Sequence, residues 1–207
     1  MDKVYVDDPN KKKKISLNVG TRFAGGAAGD IHLLPDAPGH VLKIYKTTDD
    51  RRLYEPKLLA MIKNPPKLDS SIANFPQVAW PISDAEDESG HFIGYVMPEV
   101  NFKESKSLEN MLQKRMRQYH NLPENYGYRI STAYNLSVAV AALHAVDHHI
   151  IDLKPANCRL DPKRMLISIV DTDGFSISGA GSKRYHADQF TPEYIAPEAL
   201  KKDAREV

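Results

Sequence analysis

The segment Asp152-Leu153-Lys154-Pro155-Ala156-Asn157, followed fourteen residues later by Asp171, gathers four side chains of complementary chemistry. Asp152 is a carboxylate that can accept a proton from an attacking hydroxyl. Lys154 is a cation that can neutralise charge on a transferred phosphoryl group. Asn157 and Asp171 present hard oxygen ligands of the kind magnesium takes. Strands expected at Cys158–Leu160 and Leu166–Val170 flank the turn Asp161-Pro162-Lys163, and such a hairpin brings Asn157 and Asp171 to adjacent strand ends. An ordinary polar loop would have to account for all four residue types at once. Asp173, in Asp173-Gly174-Phe175, is a competing carboxylate; the metal role goes to Asp171 because it directly follows the strand.

Two upstream features fit the same chemistry. Gly25-Gly26-Ala27-Ala28-Gly29-Asp30-Ile31 lies between two expected strands, and small residues let a backbone turn approach phosphates closely. Glycine turns are common, so this one specifies little alone. In Val41-Leu42-Lys43-Ile44-Tyr45 a lysine sits among apolar residues. It either snorkels to solvent or pairs with an anion and a carboxylate, and Glu55, twelve residues on at the expected start of the next helix, is the candidate carboxylate. Downstream, Thr191-Pro192-Glu193-Tyr194-Ile195 leads into Ala196-Pro197-Glu198, about 25 residues after Asp171.

The elements that must position these residues differ between the two halves. Residues 15–100 are rich in Gly, Pro and short β-branched runs. Ile15–Val19, Asp30–Leu34, His40–Tyr45, Val78–Trp80 and Phe92–Met97 read as strands. Asp50–Lys63 reads as a helix, with Leu53, Leu58, Met61 and Ile62 at helical spacing and Pro65-Pro66 as its stop. The acidic stretch Asp84–Gly90 reads as an exposed turn. In the second half Ser107–Gln118 and Tyr126–Ala145 read as helices; Ile130, Ala133, Tyr134, Leu136, Val140 and Leu143 give the latter the broad apolar face of a buried helix. A loop runs from Asp171 to Pro197. Five strands with one inserted helix, then mostly helix, predict two lobes with a ligand cleft between them.

Composition excludes several classes. With 207 residues, 42% of them hydrophobic, and a net charge of +1, nothing points to a nucleic-acid or acidic-membrane partner. The run Lys11–Lys14 reads as a solvated strand end or hairpin. The lone Cys158 excludes an internal disulfide and fits a reducing, cytoplasmic location. A charged N-terminus argues against a signal peptide, and no stretch approaches the length of an apolar membrane span. His144 and His148 have the spacing of a helical zinc pair, but no Glu follows His144 as in zinc proteases and no third ligand is apparent.

Glycine loop, strand lysine, helix glutamate, Asp-Leu-Lys-Pro-x-Asn, metal aspartate and Ala-Pro-Glu, in this order from about Val19 to Leu200, resemble the eukaryotic-type protein kinase superfamily. Gly25–Ile31, Lys57-Leu58-Leu59-Ala60-Met61 before Pro65-Pro66, Ala79-Trp80-Pro81 and Asp171-Thr172-Asp173-Gly174-Phe175 resemble a bacterial branch of it. The resemblance implies an α+β, two-lobed fold, with a β-rich N-lobe over residues 1–100 and a mainly helical C-lobe over 101–207. It implies ATP and Mg2+ as cofactors and a protein substrate phosphorylated on Ser/Thr. Lys43 would contact the α and β phosphates and pair with Glu55. Gly25, Gly26, Gly29, Ile31 and Val41 would line the nucleotide, Met97 would sit behind adenine, and Pro98, Glu99 and Val100 would form the hinge. Asp152 would be the base, Lys154 its assistant, and Asn157 and Asp171 the magnesium ligands.

Several positions depart from the family pattern. Ala24 replaces the first glycine, and Ile150-Ile151 replaces the usual His-Arg before Asp152. Without that arginine, activation is expected not to need loop phosphorylation. Pro56 is expected to place Glu55 at the helix start, since proline belongs in a first turn. Nine residues follow Glu198, where the family usually has several more helices. That implies a fragment of a longer chain or helices supplied from elsewhere, with further domains as partners and apolar surface left exposed. The alternative reading is a pseudokinase, a nucleotide-binding or docking module with little turnover.

Overall fold

The computed structural model describes residues 2–7, 13–69, 72 and 75–203. The fold is mixed α+β and divides into two units. The first comprises residues 1–65 and 80–99; the second comprises 66–79 and 100–207. The chain therefore crosses between them at Pro65/Pro66, Ala79/Trp80 and Glu99/Val100, and Pro66–Ala79 belongs to the second unit although it precedes much of the first.

The first unit is built on β1 (Lys3–Asp7), β2 (Lys14–Asn18), β3 (Arg22–Gly25), β4 (Gly29–Leu33), β5 (His40–Tyr45), α1 (Thr48–Lys63), β6 (Ser83–Glu86) and β7 (Phe92–Pro98). Its strands form one antiparallel sheet in the order β2-β1-β6-β7-β5-β4-β3. Val4, Val6, Leu17, Leu34, Leu42, Ala85, Ile93 and Val96 form a buried cluster on it. Gly39, at φ +81°, closes the Pro35–Gly39 turn in a conformation that glycine adopts without strain. Asp84–Glu86, expected as part of an exposed turn, instead belongs to the interior strand Ser83–Glu86, whose Ala85 is fully buried; the turn is confined to Asp87–Gly90. Val78–Trp80 is not a strand of this sheet: Val78 makes a single parallel bridge to Ile169 in the second unit.

Helix α1 starts earlier than expected. Thr47 caps it, its hydroxyl accepting from the Asp50 N–H at 3.0 Å, and Asp49 and Asp50 favour its positive end. Pro56 consequently lies in the helix interior rather than the first turn, where it removes the hydrogen bond that the Arg52 carbonyl would accept. Glu55 is thus mid-helix and exposed, not at the helix start, and the buried charged residue is Lys57. The Trp80 indole N–H donates to the Met61 carbonyl at 3.0 Å near the helix end.

The second unit contains β8 (Lys106–Ser107), α2 (Glu109–Leu112), α3 (Lys114–Tyr119), α4 (Tyr126–His144), β9 (Cys158–Leu160), β10 (Ile167–Ile169), β11 (Ile177–Ser178) and β12 (Arg184–Tyr185). The helix expected over Ser107–Gln118 is broken at Gln113, which is extended at φ −111° and ψ 137°. Arg117 bridges the break, donating to the Met111 carbonyl at 2.7 Å while pairing with Glu124. Strands β8, β9 and β10 form an antiparallel sheet in the order β10-β9-β8.

Helix α4 is capped by Asn125, whose side chain accepts from the Tyr128 N–H at 2.7 Å. It is tied to the β9–β10 turn by Tyr128 Oη donating to the Pro162 carbonyl and Asn135 Nδ2 to the Met165 carbonyl, both at 2.9 Å. Its buried positions are Tyr128, Thr132, Ala139 and Leu143. The broad apolar face read as buried is therefore only partly so: Ile130 and Tyr134 are 50% and 67% exposed. Among the described residues no helix is long and apolar enough to cross a membrane. Lys14 pairs with Glu86, while Lys11 and Lys12 lie outside the described residues.

Candidate functional site

In the first unit, strand register brings the expected nucleotide residues onto one face. Ile31 on β4 is directly opposite Lys43 on β5, and Val41 is directly opposite Met97 on β7. Alternation along β5 then puts Val41, Lys43 and Tyr45 on the same side. Helix α1 packs there, its Tyr54 ring stacked on Tyr45 at 4.8 Å. Gly29 is buried because the Lys43 side chain crosses it: a Cβ at Gly29 would lie 3.2 Å from both Cγ and Cε of Lys43 and 2.8 Å from the Ile44 carbonyl oxygen. Lys43 is 7% exposed, with its Nζ 5.8 Å from the centre of the Tyr45 ring.

The glycine turn joins β3 to β4. Its carbonyls face protein donors: Gly26 O accepts from Lys46 Nζ at 2.6 Å, Ala28 O from the Lys46 N–H at 3.0 Å, and Gly29 O from the Gly26 N–H at 2.8 Å. Among the described residues, the N–H groups of Ala27 and Ala28 make no hydrogen bond. Gly26 has open space where a side chain would be, whereas a Cβ at Gly25 would meet Arg22 and Asp30. A turn with these three carbonyls engaged and the Ala27 and Ala28 N–H groups left to donate fits an anionic ligand such as a nucleotide phosphate.

The expected partnership of Lys43 with Glu55 does not form. Among the described residues no ion pair reaches Glu55, because α1 turns Lys57, two residues on, into the interior instead. Lys57 Nζ lies 5.9 Å from the Tyr54 ring centre. The Glu99 N–H donates to the Gly39 carbonyl at 2.8 Å, and Val100 begins the next stretch of the second unit, so the expected hinge coincides with a crossing point.

In the second unit the residues of the Asp152–Asn157 motif converge. Pro155–Asn157 is a single 3-10 turn with proline in its first position. Lys154 Nζ contacts Asp152 Oδ2 at 2.6 Å. Asn157 Nδ2 donates to the Asp152 carbonyl at 3.2 Å, which directs its amide nitrogen toward the loop and its oxygen away. That orientation fits an oxygen ligand for magnesium. The Val170 N–H donates to the Asn157 carbonyl at 2.9 Å, so Asp171 follows one residue beyond a bond to Asn157.

Asp171 is exposed and left-handed, at φ 62° and ψ 44°, as the chain turns into the short helix Thr172–Gly174. Its competitor Asp173 is buried. Thr172 fixes this turn, its hydroxyl donating to the Ala79 carbonyl at 3.0 Å. Among the described residues, no three His, Cys, Asp or Glu residues gather as a metal cluster. His148 leaves the helical register expected for a zinc pair: α4 ends at His144, Asp147 is left-handed, and His148 is buried with Nδ1 accepting from the Ser178 N–H.

Thr191, the first residue of the Ala-Pro-Glu segment, carries no role in the sequence reading, yet it reaches the same centre. Its N–H donates to Asp152 Oδ1 at 2.9 Å, and Lys154 Nζ donates to its hydroxyl at 2.9 Å. Burial pushes the Asp152 carboxyl upward, but hydrogen bonds from Lys154 and Thr191 outweigh it and hold the group below the ordinary carboxylate range. Thr191 lies 39 residues from Asp152 in sequence, and no local spacing rule links the two. No protein-family model matches the chain, and no curated protein sequence matches it.

Proposed function

We propose that this chain is a two-lobed, protein-kinase-like phosphotransferase that uses ATP and magnesium to phosphorylate Ser/Thr hydroxyls of a protein substrate. The observation that carries the reading is the arrangement around Asp152, an ionised carboxylate held by Lys154 and Thr191 with Asn157 behind it. In the proposed reaction the acceptor oxygen bonds to the γ-phosphorus while the bond from that phosphorus to the bridging oxygen breaks, releasing ADP. The acceptor hydroxyl proton passes to Asp152, and Lys154 offsets charge on the transferred group. Asn157 and Asp171 would hold magnesium, which when bound neutralises phosphate oxygens. The Ala27–Ala28 turn and Lys43 would receive the phosphates, with Ile31, Val41 and Met97 against the base.

A second reading, a nucleotide-binding module without turnover, is favoured by one observation: Glu55, the carboxylate expected on Lys43, is exposed in the middle of α1. Two measurements separate the readings. Calorimetry with ATP, with and without magnesium, tests binding; radiolabelled phosphate transfer to a generic Ser/Thr protein substrate tests turnover. Magnesium-dependent binding with transfer supports the enzyme, and binding without transfer supports the module. Absence of metal-dependent binding at millimolar nucleotide removes both.

A further inference from the structure

The segment from Asp171 to Thr191 is tied to the loop after α4 at several points. His149 and Ser176 exchange both backbone hydrogen bonds, each 2.8 Å, and the Ser178 N–H donates to His148 Nδ1 at 3.2 Å. These hold the outgoing strand β11. The returning strand β12 pairs with β11 through only two residue pairs, Ile177 with Tyr185 and Ser178 with Arg184. A ladder that short is marginal by itself.

Arg184 adds a different kind of tie. One nitrogen, Nη2, bonds both the carboxylate of Asp147 and, at 3.2 Å, its carbonyl; the other, Nη1, donates to Ser176 Oγ at 3.2 Å. The guanidinium thus spans the loop after α4 and the root of β11 with the planar fork that lysine lacks. Asp147 is held in the left-handed conformation at φ 58°, which turns both of its oxygen groups to one arginine, and its second carboxylate oxygen lies 3.3 Å from His149 Nε2. Six residues after Tyr185 the chain arrives at Thr191 on Asp152.

We propose that Arg184 is a positioning residue: by bridging Asp147 and Ser176 it keeps Thr191 docked on Asp152 with no phosphate on the segment. The consequence for transfer rests on the phosphotransferase reading; the consequence for ordering does not. The Asp147 side chain is 61% exposed and that of Arg184 25%, so the tie is of moderate strength. Its loss is expected to raise the opening of the returning half of the segment by about tenfold, not to unfold the unit.

Hydrogen exchange resolved at single amides of the full chain, before and after phosphatase treatment, is the test. Arg184→Ala is expected to speed exchange of the Thr191 N–H about tenfold and leave the Ser178 N–H, held by His148, unchanged. Arg184→Lys is expected to fall between, and the exchanged pair Asp147→Arg with Arg184→Asp to restore most of the protection. Unchanged Thr191 exchange in Arg184→Ala overturns the proposal, as does equal acceleration at Ser178 that the exchanged pair fails to restore. Loss of protection on phosphatase treatment of wild type also overturns it. If wild type transfers phosphate, Arg184→Ala should lower kcat and leave the KM for ATP unchanged; a rise in KM alone contradicts positioning. Faster Thr191 exchange in Arg184→Ala of a protein that never transfers phosphate supports the positioning role while removing the phosphotransferase reading.

Discussion

Thr191 and Asp152 meet through a backbone N–H at 2.9 Å, across 39 residues of chain. The bond ties the segment before Ala-Pro-Glu to the residue proposed as base, so the carboxylate is oriented by groups on both sides of it.

Asp152→Asn is therefore expected to keep nucleotide affinity and lose transfer. The amide cannot take the acceptor proton, and loss of a positioned base costs on the order of 10²–10⁴-fold in rate. Calorimetry and radiolabelled transfer on the same preparations check the two halves. Transfer by the variant at the wild-type rate would mean that another group is the base.

The two aspartates after β10 should behave in opposite ways. Asp171 is exposed and left-handed, a conformation that asparagine tolerates. Asp171→Asn should leave the melting temperature unchanged and weaken magnesium-dependent nucleotide binding. Asp173 is buried, so Asp173→Asn should cost stability of about 1–3 kcal/mol. Paired melting curves and metal-dependent titrations decide; a reversed pattern would shift the ligand by two residues.

The glycine turn offers a sharper contrast within four residues. A methyl at Gly29 would press on Lys43 and the Ile44 carbonyl, while one at Gly26 meets nothing. Gly29→Ala should destabilise by about 1–3 kcal/mol and weaken ATP binding by displacing Lys43. Gly26→Ala should leave stability nearly unchanged. Denaturant midpoints of the two variants, measured side by side, test the assignment.

Acid should act on Asp152 late. Its folded value is depressed, so the stability it contributes is present above its unfolded value and is lost as pH falls through the lower folded value. Its ¹³C carboxyl resonance should titrate below the ordinary carboxylate range, and Thr191 should undock in the same window. A midpoint above that range would contradict the contacts with Lys154 and Thr191.

Cys158 is buried, and burial raises its thiol to about 11. Because the thiolate is the reactive form, iodoacetamide at mildly alkaline pH should label the chain only as fast as it unfolds. Rapid labelling of the native protein would place the sulfur elsewhere.

What could be read from the chain followed the strength of its local signals. The β-branched run at His40–Tyr45 and the long pattern from Tyr126 mark β5 and α4 plainly, because alternation and length are backbone properties. Ser83–Glu86 was missed because it is mostly polar; only its partners in the sheet make it a strand. On α4 an apolar pattern does not say how much of a helix face is covered. Pro56 misled because the cap at Thr47, nine residues upstream, outweighs the loss of one helical hydrogen bond. At the candidate site, Asp152, Lys154 and Asn157 lie within six residues of chain and their spacing was legible, whereas Thr191 and Arg184 reach the loop from far along the chain.

The three crossings of the chain between its units bear on how the protein can be divided. No single cut in the gene separates the units. A break after Glu99 leaves Pro66–Ala79 on the wrong fragment and strips the second unit of three bonds: Ala79 N–H to Ile169 O, Ile169 N–H to Gln77 O, and Thr172 Oγ1 to Ala79 O. The last of these anchors the turn that begins at Asp171. The second unit is therefore not a portable cassette: recombination at residue 100 would deliver Asp152, Asn157 and Asp171 intact in sequence but without the Pro66–Ala79 strip that anchors the turn after Asp171.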